Sequence, residues 1–272
     1  MQHEEVRLER AECQFRRDIW SVAPVDAVSE AGVRMRWFGP VFATVFADLP
    51  EATLFNLIQG AAEPGAVADG HLARAIEWVR SFEVDFMVAV ASEHSETELA
   101  EQWLQWHDYE QGVVTKRQVR AATPPIHTET PGVEVSELPA EEDELIAILA
   151  AEGLDLPSLA GILFIGLPRL DNWHCYVARV DGELVATGST MSRDGIATLG
   201  IDTTLPYFRG RGCHRALLER RLEDAAESDA QLVQAFSSDM PDGEPGAASR
   251  SLRRAGFAEV GRIVCWQPPR GW

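Results

Sequence analysis

Apolar positions fall into two patterned series separated by one stretch without period. The second series, after residue 132, is the more regular. Val133 to Leu138 reads as a short strand. Glu141 to Ala151 has helical spacing, with acids in its first turn, where the helix dipole favours them, and Gly153 just past its end. Trp173 to Val180 and Glu183 to Met191 form a predicted hairpin over Asp181-Gly182. Ser192 to Gly195 turns the chain into a third strand, Ile196 to Thr203. The segment LPYFRGRGCH then opens a helix whose one face carries Leu218, Leu222 and Ala225, flanked by Leu217. A strand at Leu232 to Ser237, a helix at Ala247 to Arg254 and a strand at Phe257 to Gln267 complete the series.

The first series predicts a hairpin of Val33 to Phe38 and Val41 to Phe46 over Gly39-Pro40, and a strand at Thr53 to Ile58. Next come a helix at His71 to Arg80, a strand at Val84 to Ala91, a helix at Thr97 to Trp106 and a strand at Gly112 to Val119. Glu4 to Ile19 has the spacing of a helix. Between the series, Ala121 to Gly132 (AATPPIHTETPG) holds prolines at 124, 125 and 131, which forbid a helix. The expected organisation is residues 1–125, a linker at 126–132, and residues 133–272. Both series end strand, helix, strand, helix, aromatic, strand, around Asp108-Tyr109 and Gly256-Phe257. That order predicts a duplicated fold, the alternative being two unrelated α/β units.

Composition narrows the classes. The chain has 272 residues and 30.0 kDa, with 46% hydrophobic and 25% charged residues, which is globular and neither disordered nor collagenous. No apolar run is long enough for a membrane helix. The opening MQHEEVRLERAE has no apolar core of a secretion signal, so a cytoplasmic location is expected. A net charge of −19 opposes binding to a polyphosphate, so neither nucleic acid nor membrane is expected as a partner. Cys13, Cys175, Cys213 and Cys265 form no CxxC and no zinc spacing, so free thiols and no metal are expected.

Against that acidic background, Arg209-Gly210-Arg211-Gly212-Cys213-His214 stands out. It follows a strand and opens a helix. Small residues let backbone N–H groups approach a ligand, the helix N-terminus adds partial positive charge, and Arg209, Arg211 and Arg215 add mobile charge. A pyrophosphate fits this description. A P-loop is excluded because the chain has no Gly-Lys, and a GxGxxG fingerprint fails because its third glycine falls at Arg215. A plain strand-to-helix turn that uses glycine for geometry is the alternative.

The stretch Leu205-Pro206-Tyr207-Phe208-Arg209-Gly210-Arg211-Gly212-Cys213-His214 resembles the Q/R-x-x-G-x-G/A loop of the GNAT acetyltransferase superfamily. Arg209 and Gly212 match its first and fourth positions, and His214 departs from the sixth. Ser249 to Phe257 is similar to the family's later helix ending in Gly-Phe. The resemblance covers about 133–272. The first half looks like a degenerate repeat of the same unit, its corresponding loop Gln59 to Gly65 lacking arginine and containing Glu63. The resemblance implies an α+β fold of two tandem units, each a mixed, mainly antiparallel twisted sheet flanked by helices.

It also implies an N-acyltransferase that moves an acetyl or other acyl group from acetyl-CoA to the amine of a small molecule by direct attack. The main chain of Thr203, Thr204 and Leu205 would hold the pantetheine arm. The amides of Arg209, Gly210, Arg211, Gly212, Cys213 and His214 would hold the pyrophosphate, with His214 leaning away from the phosphates or touching them. An N–H near Thr203 or Thr204 would stabilise the oxyanion. For the proton steps the candidates are Asp202 and Ser238, with Ser237 and Asp239 beside them. The family's tyrosine, four residues before Gly-Phe, is here Leu252. Trp173 and the apolar run Gly161 to Pro168 are candidate walls of an acceptor pocket, packing being the alternative. A non-catalytic acyl-CoA sensor is the alternative to an enzyme. Intramolecular pairing of the halves would allow a monomer, a homodimer being the other expectation.

Overall fold

The computed structural model describes residues 2–50, 52–154, 162–239, 244 and 246–269. Helix α1 (Gln2–Ser21) and the short α2 (Val25–Glu30) lead into strands β1 (Val33–Phe38), β2 (Val41–Phe46) and β3 (Leu57–Gln59). Helix α3 (His71–Arg80), β4 (Met87–Ala91), α4 (Thr97–Trp106) and β5 (Glu110–Ala121) complete the first half. The second half runs β6 (Val133–Glu137), α5 (Glu144–Leu154), β7 (Trp173–Val180), β8 (Glu183–Arg193), β9 (Ile196–Thr204), α6 (Cys213–Glu227), β10 (Leu232–Ser237), α7 (Ala247–Arg254) and β11 (Ala258–Gln267).

All eleven strands join one sheet in the order β1-β2-β3-β4-β11-β5-β10-β9-β8-β7-β6. Its centre is an exchange. The first half's last strand, β5, lies against β10, with Leu232 opposite Ala121 and Ser237 opposite Lys116. The second half's last strand, β11, pairs with β4 on one edge and β5 on the other. Most neighbours are antiparallel; β3–β4 and β9–β10 are the parallel pairs.

Apolar faces explain the layers. Leu72, Ala75, Ile76 and Val79 recur at helical spacing on α3 and pack with Ala100 and Leu104 of α4 over the first half of the sheet. Leu218, Leu222 and Ala225 of α6 pack with Leu252 and Phe257 over β9 and β10. On the opposite face, α1 crosses both halves. Leu8 and Ala11 meet Val119 and Ile196, and Ile19 and Trp20 join the core under α5. Phe15 lies so close to Gly200 that a Cβ there would stand 2.3 Å from the ring, so the crossing requires glycine.

Several elements differ from their sequence expectation. The strand expected at Thr53 to Ile58 is only Leu57–Gln59. The Asn56 side chain accepts from Phe46 N–H and donates to the carbonyls of Leu49 and Pro50, so the preceding residues wrap around that amide as turns. The helix expected from Glu141 begins as a 3₁₀ turn at Ala140–Glu142, and α5 continues through Gly153. Strand β4 starts at Met87, later than Val84. Strand β5 is longer than Gly112 to Val119, because β10 and β11 extend its pairing at both ends. Gly161 lies outside the described residues; Leu163, Phe164 and Leu167 beyond it are buried in the core under α1, a packing role.

Candidate functional site

The site begins with a bulge in β9. Thr187 pairs with Thr203 but Ser189 pairs with Gly200, so β9 carries one extra residue against β8. Ile201 absorbs it at φ 54°, a left-handed value that a β-branched residue rarely takes. On its other edge β9 pairs with β10 only through Ile196, Ala197 and Thr198, opposite Leu232, Val233 and Gln234. Past that point the two parallel strands part. Backbone groups of β9 beyond Thr198 therefore face an opening on the β10 side.

The loop after β9 ends at the same opening. A 3₁₀ turn, Pro206–Phe208, brings the chain to Gly210 at φ 81° and Gly212 at φ 89°. Gly212 is the N-cap of α6, and no described side chain caps that helix. The first amides of α6 are thus available to an anion, with the helix dipole behind them. A Cβ on Gly210 would meet nothing within 4 Å beyond its chain neighbours, so there is open space above the loop at that residue.

A cleft of about 1050 Å³ joins the β9 opening to this loop. It takes in Asp202, Thr203, Thr204 and the whole of residues 209–214. Of the residues expected at the site, Leu205 is absent from its wall and packs with the core on the other face; Ser238 stands exposed past the end of β10 and is also absent from the wall. Arg120, Arg209, Arg211, Arg215 and Arg254 all reach the cleft, a concentration of positive charge in a chain of net −19. Arg209 Nε donates to Thr204 O at 3.2 Å, and the Arg211 guanidinium lies over the Phe208 ring at 5.0 Å.

The linker supplies a further wall, through Pro124, Pro125, Ile126 and Thr128. It is clamped at both ends. Arg120 donates to Thr123 O (2.9 Å) and to Ala255 O (2.5 Å), tying the linker's start to the end of α7. Arg215 donates to Thr130 Oγ1 at 2.9 Å, and Thr128 N–H donates to the Glu219 carboxylate at 3.1 Å. Composition marked this stretch as a linker. Its role as a wall was not legible there, because it depends on α6 lying beneath it.

Asp202 is not a free carboxylate. Arg221, fully buried on α6, binds both of its oxygens, at 3.1 Å to Oδ2 and by a shorter contact to Oδ1. His214 Nε2 stands 3.7 Å from Asp202 Oδ1, and His214 Nδ1 is 3.1 Å from Ser251 Oγ. Burial lowers the His214 pKa; Asp202 opposes that and Arg221 adds to it, and the net direction is down. Leu252, at the family's tyrosine position, is buried among Leu218, Leu222 and Ala235. Lys116 holds Asp239 at 2.6 Å, and Ser237 Oγ donates to Gln118 Oε1 at 3.4 Å. Trp173 is buried, donating to Asp18 and stacking near Phe15, and His174 pairs with Glu137 at the surface.

The first half has a counterpart loop after β3, and two of its amides are taken by carboxylates. Gly60 N–H donates to Glu9 and Gly65 N–H to Glu96, each at 3.1 Å, while Gln59 donates to Glu12. Two amides of this loop, at Gly60 and Gly65, thus already serve carboxylates of the same chain.

No family model matches the chain, and no curated protein matches it. Solved structures do. A GCN5-related N-acetyltransferase from Kribbella flavida superposes with a TM-score of 0.65 at 18% identity, over 98% of this chain and 96% of that one. A second, from Sphaerobacter thermophilus, gives 0.61 at 16% identity, over 85% and 81%. A tandem GNAT protein from the clavulanic acid biosynthesis pathway gives 0.62 at 16% identity, over 84% and 77%. The fold is that of the tandem GCN5-related N-acetyltransferases. The expected α+β class, a mixed and mainly antiparallel sheet flanked by helices and built twice, is therefore the observed one.

Within this GNAT fold the cleft suits a CoA-type ligand. Thr203 Oγ1 is buried at its wall without a hydrogen-bond partner, Gly210 leaves space above the loop, and arginines surround an uncapped helix end. Among the described residues no group of three or more His, Cys, Asp or Glu could hold a metal ion, and no helix is long and apolar enough to cross a membrane.

Proposed function

We propose that the chain is an acyl-CoA-dependent N-acyltransferase, with acetyl-CoA as donor and the amine of a small molecule as acceptor. The carrying observation is the parting of β9 from β10 after Thr198 beside the uncapped N-terminus of α6. The amides of residues 209–214 bind the diphosphate. Main-chain groups of Thr203 and Thr204 hold the pantetheine arm, and Thr203 Oγ1 gains there the partner it lacks. The amine attacks the thioester carbon directly, a neighbouring N–H of β9 stabilises the oxyanion, and thiolate departs. The acidic body favours cationic acceptors over polyphosphates. Four free thiols and no expected metal suit a cytoplasmic enzyme. On this reading the halves, 1–125 and 133–272, pair within one chain as a pseudo-dimer, which is compatible with a monomer, a homodimer being the alternative; the exchange of β5 and β11 supports the pairing.

Calorimetric titration with CoA tests the reading. Saturable binding is expected, and no heat at millimolar CoA would remove its basis. One observation favours a second reading, a sensor that binds acyl-CoA without turnover: the family's acid position is the buried Leu252. Release of free thiol from acetyl-CoA across a panel of primary amines separates the two, since a sensor adds nothing to the hydrolysis background.

A further inference from the structure

Of the two departures from the family pattern, His214 meets Ser251, the chain neighbour of the other, Leu252. Leu252 turns into the core, and its neighbour Ser251 faces the cleft. Ser251 Oγ lies 3.1 Å from His214 Nδ1, and His214 Nε2 lies 3.7 Å from Asp202 Oδ1. Arg221 fixes the carboxylate from beneath, and is itself held by the carbonyls of Leu217 and Ser189. A serine from α7, a histidine from α6 and an aspartate from β9 thus form a line along the cleft wall. That line joins the amides of residues 209–214 to the bulge at Ile201.

The chemistry of the line is directional. Asp202 faces Nε2 of the imidazole at 3.7 Å, and its negative charge favours the tautomer with the proton on Nε2, in which Nδ1 accepts from the Ser251 hydroxyl. Burial, with Arg221 adding to it and Asp202 opposing it, favours the neutral ring, the form that has a free acceptor nitrogen; the charged groups facing it are Asp202 and Arg221. The carboxylate then stabilises the imidazolium that forms.

We propose that His214, acting through Ser251 Oγ, carries the proton of the attacking amine to the departing thiolate, with Asp202 and Arg221 as positioning residues. This rests on the acyltransferase reading above. The amine nitrogen forms its bond to the thioester carbon, and its proton passes through Ser251 Oγ to His214 Nδ1. The carbon–sulfur bond breaks with its electron pair on sulfur. The imidazolium returns the proton through Ser251 to the thiolate. Amine and acyl thioester become amide and free thiol, with no other reactant, and the shuttle ends as it began.

Two variants test this on the full chain. Ser251→Ala and His214→Asn alter partly exposed cleft side chains, so both are expected to fold. CoA affinity by calorimetry is expected to stay within about threefold of wild type in Ser251→Ala, whose side chain has no part in holding the diphosphate, whereas His214→Asn keeps the main-chain amide but changes a residue of the diphosphate loop and is read by kcat. Ultraviolet titration of the bound CoA thiol is expected to move up by about one pH unit in Ser251→Ala, since the Ser251 hydroxyl turns from His214 to the thiolate when it forms, and a donor there favours its charged form. Steady-state thiol release from acetyl-CoA with primary amines is expected to lose about 10²-fold in kcat in His214→Asn, with KM for acetyl-CoA unchanged. Bound CoA with an unmoved thiol titration, or an undiminished kcat, overturns the shuttle alone. A tenfold or greater loss of CoA affinity at unchanged kcat makes His214 a diphosphate ligand instead, and an acetyl group on Ser251 by mass spectrometry makes it a nucleophile. Failure of wild type to bind CoA overturns the functional reading and the shuttle with it.

Discussion

The backbone N–H of Gly60 donates to the carboxylate of Glu9 at 3.1 Å. Gly60 belongs to the first half's counterpart of the arginine-glycine loop, and Glu9 comes from α1. The same carboxylate pairs with fully buried Arg117 at 2.7 Å, where Glu12 (2.8 Å) and Glu93 converge. The first half thus folds around an internal anion in the place where the second half keeps a cleft. Removing one partner of a buried charge network leaves the others uncompensated. Glu9→Ala is therefore expected to lose about 3–5 kcal/mol, read by urea unfolding. A loss below 1 kcal/mol would mean that the pairs Arg117 already makes with Glu12 and Glu93 compensate it without Glu9.

The same cluster sets the pH dependence of stability. Burial pushes the Glu9 carboxyl up, but Arg117 and His94 outweigh it and hold it at about 2, against an ordinary 4.5. A depressed carboxyl contributes stability above its unfolded pKa and loses it as pH falls toward 2. The contribution is about 3 kcal/mol by linkage. Burial pulls the His94 pKa down, but the Glu9 carboxylate outweighs it and raises it, so its contribution is present below about 6.5 and lost as pH rises through the raised value. Burial raises Glu63, which also disfavours the folded state as pH rises above its ordinary range. Thermal unfolding across pH should show maximal stability between roughly pH 4.5 and 6.5, set by these groups. In Glu9→Gln the acid limb should flatten; an unchanged limb would assign it to other carboxylates.

Much of this was legible in the chain, for stated reasons. Elements whose burial follows a local period, such as α3, α6 and the β7–β8 hairpin over Asp181-Gly182, lie where their spacing placed them. The loop at Arg209 was legible as a turn that opens a helix, because its two glycines admit the positive φ such a turn needs. The bulge at Ile201 was not, because a β-branched residue reads as ordinary strand and the extra residue is defined only against β8. Nor was Ser251 legible. Its meaning comes from His214, 37 residues away, and from Leu252 turning inward. Arg120 follows the strand expected at Gly112 to Val119 and carried no signal of its own; only the exchange of β5 carries it to the end of α7.

That exchange makes a prediction about cooperativity. Strand β5 bonds to β10 and β11 along nearly its whole length, and β11 bonds to β4. Neither half can unfold without stripping strands from the other. Scanning calorimetry of the full chain should give one transition. Residues 133–272 alone would expose the β10 edge that β5 covers and leave β11 without either neighbour, so that fragment is expected to aggregate. Two resolved transitions, or a monomeric and stable fragment, would show that the halves are energetically separate.

Gly212 offers the sharpest test of the anion cradle. Its φ of 89° admits glycine readily, and a Cβ there would stand 2.6 Å from Thr130 Cγ2 in the linker. Gly212→Val therefore strains the turn and pushes on the strap that walls the cleft. The backbone strain costs about 1–3 kcal/mol, distributed between stability and the geometry of the amides. The α6 N-terminus then no longer presents its N–H groups in register with the β9 opening. CoA affinity is expected to fall at least about tenfold, equivalent to about 1.4 kcal/mol, while far-ultraviolet circular dichroism stays that of the wild type. Gly65→Val makes the matching change in the first half's loop, where Glu96 already fills the amide. It should lower stability and leave CoA binding intact. Equal loss of CoA affinity in both variants would argue against a cradle confined to residues 209–214.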